Sequence, residues 1–345
     1  MYCRSILFSG ALSIACIPVP LLAEQPVQSK GTLSLYLEND SFAGTDQYYT
    51  SGAKIGWSSA NLQNLSDSPY ARPFLKAFDL LPGINEKVYQ KNLLFCLGQN
   101  IYTPKDTTST ALVPNERPYA GWLYLGVGVA WKTAEVRNTL VLDVGVVGPW
   151  SYAKETQRTL HDALGETHPN GWANQLHNEL GITGVFLRDW RVPLHARRVG
   201  LNCELLPHAG LAVGNVQTYA NVGGELRMGI NLPDDFGTTG ITPSATTSTP
   251  VDGLEAAPQA KSNFGLYVFG RVDGRAVVHS IFLDGNTFGH SHSVDRKWAV
   301  ADLSVGLGTY YKNTKLAYAL VYRTEEYKGQ QEGQVFGTLS VNITF

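Results

Sequence analysis

The run WLYLGVGVAWKTAEVRNTLVLDVGVV, residues 122–147, decides the fold. Over 122–131, Leu123, Leu125, Val127 and Val129 alternate with Trp122, Tyr124, Gly126 and Gly128. Over 139–146, Leu140, Leu142, Val144 and Val146 alternate with Val141, Asp143 and Gly145. Successive side chains of a strand point to opposite faces, so each half is a strand with one aliphatic face and one small, aromatic or acidic face. In a soluble sandwich the aliphatic face turns to the core and the polar face to water. In a barrel across a bilayer the aliphatic face meets lipid and the other lines the lumen.

The same period recurs along the chain. Leu33, Leu35 and Leu37 oppose Thr32, Ser34, Tyr36 and Glu38; Leu316, Tyr318, Leu320 and Tyr322 oppose Ala317, Ala319 and Arg323. The last segment sets Leu339, Val341, Ile343 and Phe345 against Ser340, Asn342 and Thr344. Only 16% of the 345 residues are charged, while 35 are glycine and 24 are Tyr or Trp, a composition that favours the membrane barrel. The net charge of -2 argues against a nucleic-acid partner.

The N-terminus reads as an export signal. Arg4 precedes an apolar run from Ile6 to Ala23, and Leu21-Leu22-Ala23 forms a cleavage site before Glu24. Cleavage leaves residues 24–345 as one domain, and Cys96 and Cys203 as its two cysteines, expected as unpaired thiols on distant strands. Strands are expected near 31–40, 50–60, 90–102, 118–132, 136–147, 180–191, 199–213, 218–230, 263–284, 296–311, 314–325 and 334–345. Residues 263–284 count as one kinked strand, because single-chain bacterial barrels have an even count. The expectation is an all-β, twelve-stranded antiparallel transmembrane β-barrel, monomeric, with both ends in the periplasm. The Thr/Ser/Pro/Ala-rich segment 237–260 then reads as a floppy periplasmic linker.

Two extracellular features stand out. LENDSFAGTDQYYTSG (37–52) ends a strand in Glu38, Asn39 and Asp40, oxygen-bearing groups of the kind calcium takes. The bland reading is a polar surface turn. YAKETQRTLHDALGE (152–166) has helical period and places Gln157 and His161 four apart on one face, with Pro169 and Gly171 ending the helix. His161 is either a surface histidine or a general base. Gly289-His290-Ser291-His292 offers two histidines but no third metal ligand. Asp143, Glu204, Glu225, Arg227, Asp302 and Arg323 have lumen parity and read as an interior ion-pair network. There is no G-x-S-x-G elbow, zinc spacing or phosphate loop.

LENDSFAGTDQYYTSGAKIGW (37–57), QNIYTP (99–104), RPYAGWLYLG (117–126), GWANQLHNE (171–179) and PHAGLAVGNVQTYANVGGELRMG (207–229) together resemble the outer-membrane lipid A 3'-O-deacylase family, LpxR. The resemblance implies a twelve-stranded barrel in a Gram-negative outer membrane and calcium-dependent hydrolysis of the ester holding an acyloxyacyl chain on lipid A. It implies Asn39, Asp40, Thr50, Gln157 and His161 as catalytic residues. Thr167 stands where the family has a glutamate, and Glu166, one residue earlier, is taken in its place. Asn39, Asp40 and Glu166 would hold Ca2+. The family's lysine after the Ile-Tyr-x-Pro motif has no clear counterpart, since Lys105 directly follows Pro104. The rival expectations are another outer-membrane lipid esterase, such as a phospholipase, and a barrel with no enzymatic role, a pore or an adhesion scaffold.

Overall fold

The computed structural model describes residues 31–40, 48–194, 201–238, 249 and 262–345. The export signal 1–23, Asp46 of the acidic turn and most of 237–260 lie outside the described residues.

Twelve antiparallel strands close into a barrel: β1 (Gly31–Asn39), β2 (Tyr48–Ser59), β3 (Gln90–Thr103), β4 (Ala120–Lys132), β5 (Val136–Val147), β6 (Glu179–Trp190), β7 (Asn202–Gly214), β8 (Gln217–Ile230), β9 (Phe264–Ser280), β10 (Ala299–Tyr311), β11 (Thr314–Arg323) and β12 (Gln334–Thr344). Val192–Leu194 extends the β6 end against β7. Each strand pairs with its sequence neighbours, β6 with β7 from Thr183↔Gly214 to Asp189↔His208. β1 closes on β12 from Thr32↔Thr344 to Asn39↔Gly337. Closure leaves no sheet edge with unpaired backbone groups, which a bilayer would penalise. The start of β1 and the end of β12 lie at one mouth, where Phe345 N–H bonds the Gly31 carbonyl.

The alternation sorts the faces as the sequence implies. On β1, Leu35 and Leu37 are exposed on the outer wall, while Ser34, Tyr36 and Glu38 are buried in the lumen. The lumen is filled. Its charges pair: Arg227 with Glu204 at 2.8 Å and Asp235 at 2.7 Å, Lys315 with Asp235 at 2.5 Å, and Arg323 and Arg275 with Asp302, each at 2.8 Å. Asp143 stands outside this network, with no hydrogen-bond partner for Oδ1. Cys96 and Cys203 are free thiols, as expected.

Two stretches depart from the sequence reading. The expected strand 263–284 stops at Ser280, and Ile281–Asp284 forms one helical turn. Ile281, Phe282 and Leu283 are three consecutive apolar residues with no polar alternation to continue a strand. They turn into the barrel's far mouth instead, where Phe282 stacks on Tyr102 with ring centroids 4.1 Å apart. The segment expected as a floppy linker begins inside the opposite mouth. Asp235, Phe236, Thr238 and Thr249 are all buried; Arg137 covers the Phe236 ring and donates to Thr249 Oγ1 at 3.4 Å. Ion pairing of Asp235 to Arg227 and Lys315 draws the residues that lead into this segment toward the lumen.

Candidate functional site

The expected site residues occupy the barrel end away from the termini, in two halves. The first is built on the wall. Asn39 ends β1, opposite Ser51 of β2. Asp40, the next residue, is fully buried. Glu38, on the face opposite Asn39, points into the lumen, where it accepts from Tyr49 Oη at 2.8 Å and Thr338 Oγ1 at 3.2 Å. Of the three oxygen-bearing residues at this strand end, Glu38 is therefore structural.

Thr50 is placed by a β-bulge. Tyr49 pairs with Tyr102 and Ser51 with Ile101, so Thr50 is an extra residue with no partner across the ladder. Such a residue re-aims its side chain. Here the Thr50 hydroxyl lies 2.8 Å from the Thr103 hydroxyl. Thr103 shares the face of Ile101 and Leu97, the outer face of β3, so Thr50 reaches the outer wall while Tyr49 stays in the lumen.

The second half is the loop helix Ala153–Leu164. It ends at Gly165 in the left-handed region, φ +72°, rather than at Pro169 or Gly171; a residue without Cβ adopts this cap at no steric cost. Ala153, Gln157 and His161 are its buried stripe, one per turn. His161 is 4% exposed, which removes the surface-histidine reading. Its Nδ1 lies 2.6 Å from the Thr167 carbonyl oxygen, and its Nε2 lies 3.8 Å from Glu166 Oε2. A carbonyl only accepts, so Nδ1 carries the proton and Nε2 of the neutral ring holds the lone pair. Gln157 Oε1 accepts from Trp172 Nε1 at 2.9 Å, and Gln157 Nε2 has no partner.

Strand β3 joins the halves. Ile101 packs with Ala153, Tyr119 and Trp172 in one buried cluster. Two residues along the same face, Thr103 holds Thr50. The helix therefore lies against the outer wall, not across the lumen.

Neighbouring loops brace the helix. The Asn286 amide makes two bonds to the His177 backbone, both 2.9 Å, tying the end of the helix loop to the segment after β9. Asn170 N–H donates to the Thr107 carbonyl and Asn174 Nδ2 to that of Thr110. In the mouth plug, Asp284 accepts from Arg296 at 3.0 Å and contacts His279 Nδ1 at 3.0 Å. Burial pushes the Asp284 carboxyl up, but bonds from His279, the Ser280 N–H and Arg296 hold it below the usual carboxylate range. Lys105 is bound to Glu332 at 2.9 Å on the exposed rim. His292 bonds the Glu116 carbonyl at 2.7 Å, a loop-fastening role in place of metal binding.

A family model described as outer membrane protein LpxR matches residues 7–345. The chain belongs to this family. The LpxR assignment places it in the outer membrane, in keeping with the closed barrel and its aliphatic outer face. Among solved structures, LpxR from Salmonella typhimurium matches at a TM-score of 0.69 and 20% identity, over 91% of this chain and 100% of that one. The beta domain of the Bordetella autotransporter BrkA matches at 0.43 and 9% identity, over 92% of this chain and 99% of that one. The first likeness shows a shared fold. A comparison with curated proteins finds no match in sequence.

Among the described residues no three His, Cys, Asp or Glu side chains gather as a metal cluster. Asn39, Asp40 and Glu166 each carry oxygen donors, the type that a hard cation takes together with carbonyls and water. Three groups that hold the expected site residues escaped the sequence reading: Thr103, the Thr167 carbonyl and Trp172. Only Trp172 carried a signal, since a buried indole needs an acceptor for its N–H.

Proposed function

We propose that this chain hydrolyses the 3'-acyloxyacyl ester of lipid A in the outer leaflet, with His161 as general base and calcium as its metal. Family membership and the motifs spanning the wall and the loop helix support the reading. The observation that carries it is the imidazole of His161, buried on the outer wall with its tautomer set by the Thr167 carbonyl.

With Nδ1 protonated, Nε2 takes a proton from the attacking water. The water oxygen bonds to the ester carbonyl carbon, negative charge moves onto the carbonyl oxygen, and collapse expels the sugar alkoxide, which regains the proton. Glu166, on the Nε2 side, steadies the imidazolium that forms in between. Gln157 Nε2, one helical turn away and unpartnered, donates to the oxygen on which charge develops. Thr50, held by Thr103, lines the wall beside the strand end that carries Asn39 and Asp40. Asn39, Asp40 and Glu166 would hold Ca2+, which supplies Lewis-acid polarisation of the carbonyl. A helix resting on the outer wall leaves the site open sideways to lipid, so an acyl chain need not leave the membrane.

The test is mass spectrometry of lipid A incubated with the detergent-purified protein, with calcium, with chelator, and with His161→Ala. Loss of one acyloxyacyl unit that needs calcium and His161 is the expected result. No mass change under any condition sinks the lipid A reading, and a parallel panel of phospholipids then decides whether the same site serves another ester.

A further inference from the structure

We propose that Trp172 is a positioning residue that decides which end of the Gln157 amide faces the reacting ester. The inference rests on the deacylase reading above and adds a residue to it.

An indole nitrogen donates and cannot accept. It lies 2.9 Å from Gln157 Oε1, so the oxygen must be the end turned to the indole. The amide NH2 is thereby turned the other way. Gln157 is 2% exposed, and its Nε2 has no hydrogen-bond partner. Native structures keep few unmade bonds of this kind. This one lies a single turn from the His161 imidazole, on the same buried face of the helix.

Water attack puts negative charge on the ester oxygen. An N–H held in place to meet that oxygen would gain strength as charge develops, and so would stabilise the transition state more than the substrate. With the indole N–H removed, nothing opposes a half-turn of the amide, and Oε1 would then meet the growing charge with a lone pair. The indole itself is fixed. It is 3% exposed and packs on Tyr119, ring centroids 5.0 Å apart, in the cluster that also holds Ala153 and Ile101. The contacts that seat the helix on the wall thus also aim its donor.

Trp172→Phe keeps an aromatic ring in the cluster and removes only the N–H. It should lower kcat on lipid A about tenfold or more, with KM changed less than about twofold because ground-state binding is untouched. Gln157→Glu, which keeps the shape and replaces the donor with oxygen, should lose at least as much. Adding Trp172→Phe to Gln157→Glu should cost nothing further, because both act on one bond. Wild-type kcat in Trp172→Phe, or additive losses in the double variant, would overturn the proposal; so would a rise in KM alone, the mark of a merely structural ring. A second arm needs no turnover. In 15N-tryptophan-labelled protein, the indole N–H resonance assigned by its loss in Trp172→Phe should shift and exchange faster in Gln157→Leu. An unmoved resonance refutes the lock directly. A wild type that leaves lipid A intact would refute the deacylase reading alone, and the resonance would still judge the lock.

Discussion

A Cβ placed on Gly121 would lie 2.2 Å from the Ala153 Cβ, and 2.1 Å from the Ser151 hydroxyl. Gly121 is on the outer face of β4, and Ala153 opens the buried stripe that continues through Gln157 and His161. The first turn of the helix is therefore seated on bare backbone of the barrel wall. Gln99 Nε2 fastens the same spot by donating to the Ser151 carbonyl at 2.6 Å.

Gly121→Ala should push the helix off the wall without opening the barrel, because the contact is outside the strand ladder. A displacement near 1 Å can cost about a hundredfold in rate. The expected outcome is loss of lipid A turnover of that order, with the heat-modified gel mobility of a folded barrel retained. A variant with wild-type turnover would show that helix seating does not position the site.

His161→Ala should lower turnover by about 10²–10⁴, the usual contribution of a positioned base. Glu166→Gln should also lower turnover, since it removes both the carboxylate beside Nε2 and one oxygen donor of the proposed Ca2+ set, while leaving the base and its tautomer in place. Initial rates of fatty-acid release measure both. Recovery of the Glu166→Gln rate at raised calcium would show that the loss comes from the metal set, and a loss insensitive to calcium would leave Glu166 only its part beside Nε2.

The barrel should pass no steady current. Phe282 and its neighbours fill the far mouth, and Asp235, with Arg227 and Lys315, fills the near one. Planar-bilayer recording checks this, and open-channel steps in the wild type would revive the pore reading. Asp235→Asn should weaken the folded state by about 3–5 kcal/mol in urea unfolding, because it leaves buried cations undercompensated.

The barrel was legible because lipid imposes one rule on every strand. Leu35 and Leu37 out, Tyr36 and Glu38 in, is a pattern that needs no tertiary knowledge. The helix was equally legible from its period. The sequence pattern failed where the backbone left the ladder. Ile281–Asp284 resembled more strand because three apolar residues carry no period, and Asp235 gave no sign that it would turn inward to meet Arg227 and Lys315. Spacing put Gln157 and His161 on one helix face, and the family resemblance, not the spacing, supplied their roles. Thr50 reached the outer wall only through a bulge, and the tautomer of His161 depends on a backbone carbonyl, which no side-chain pattern encodes.

Asp284 gives the mouth plug an acid limit. Its carboxyl is held below the usual range in the folded protein by His279, the Ser280 N–H and Arg296. A group whose folded pKa is depressed contributes stability above its unfolded value, about 3.9, and loses it as pH falls through the folded one. The contribution is therefore complete at neutral pH and shrinks below about pH 4. Once the carboxyl is protonated, Arg296 loses its anion and the turn Ile281–Asp284 loses its link to β9. The segment that Asn286 ties to His177 then loosens, and with it the loop that carries the helix Ala153–Leu164. Hydrogen exchange over 281–292 should rise as the pH falls below about 4 in the wild type, after correction for intrinsic rates. Asp284→Asn should show the faster exchange already at pH 7 and little added acid response. An Asp284→Asn protein that keeps the wild-type acid transition would place the sensor elsewhere.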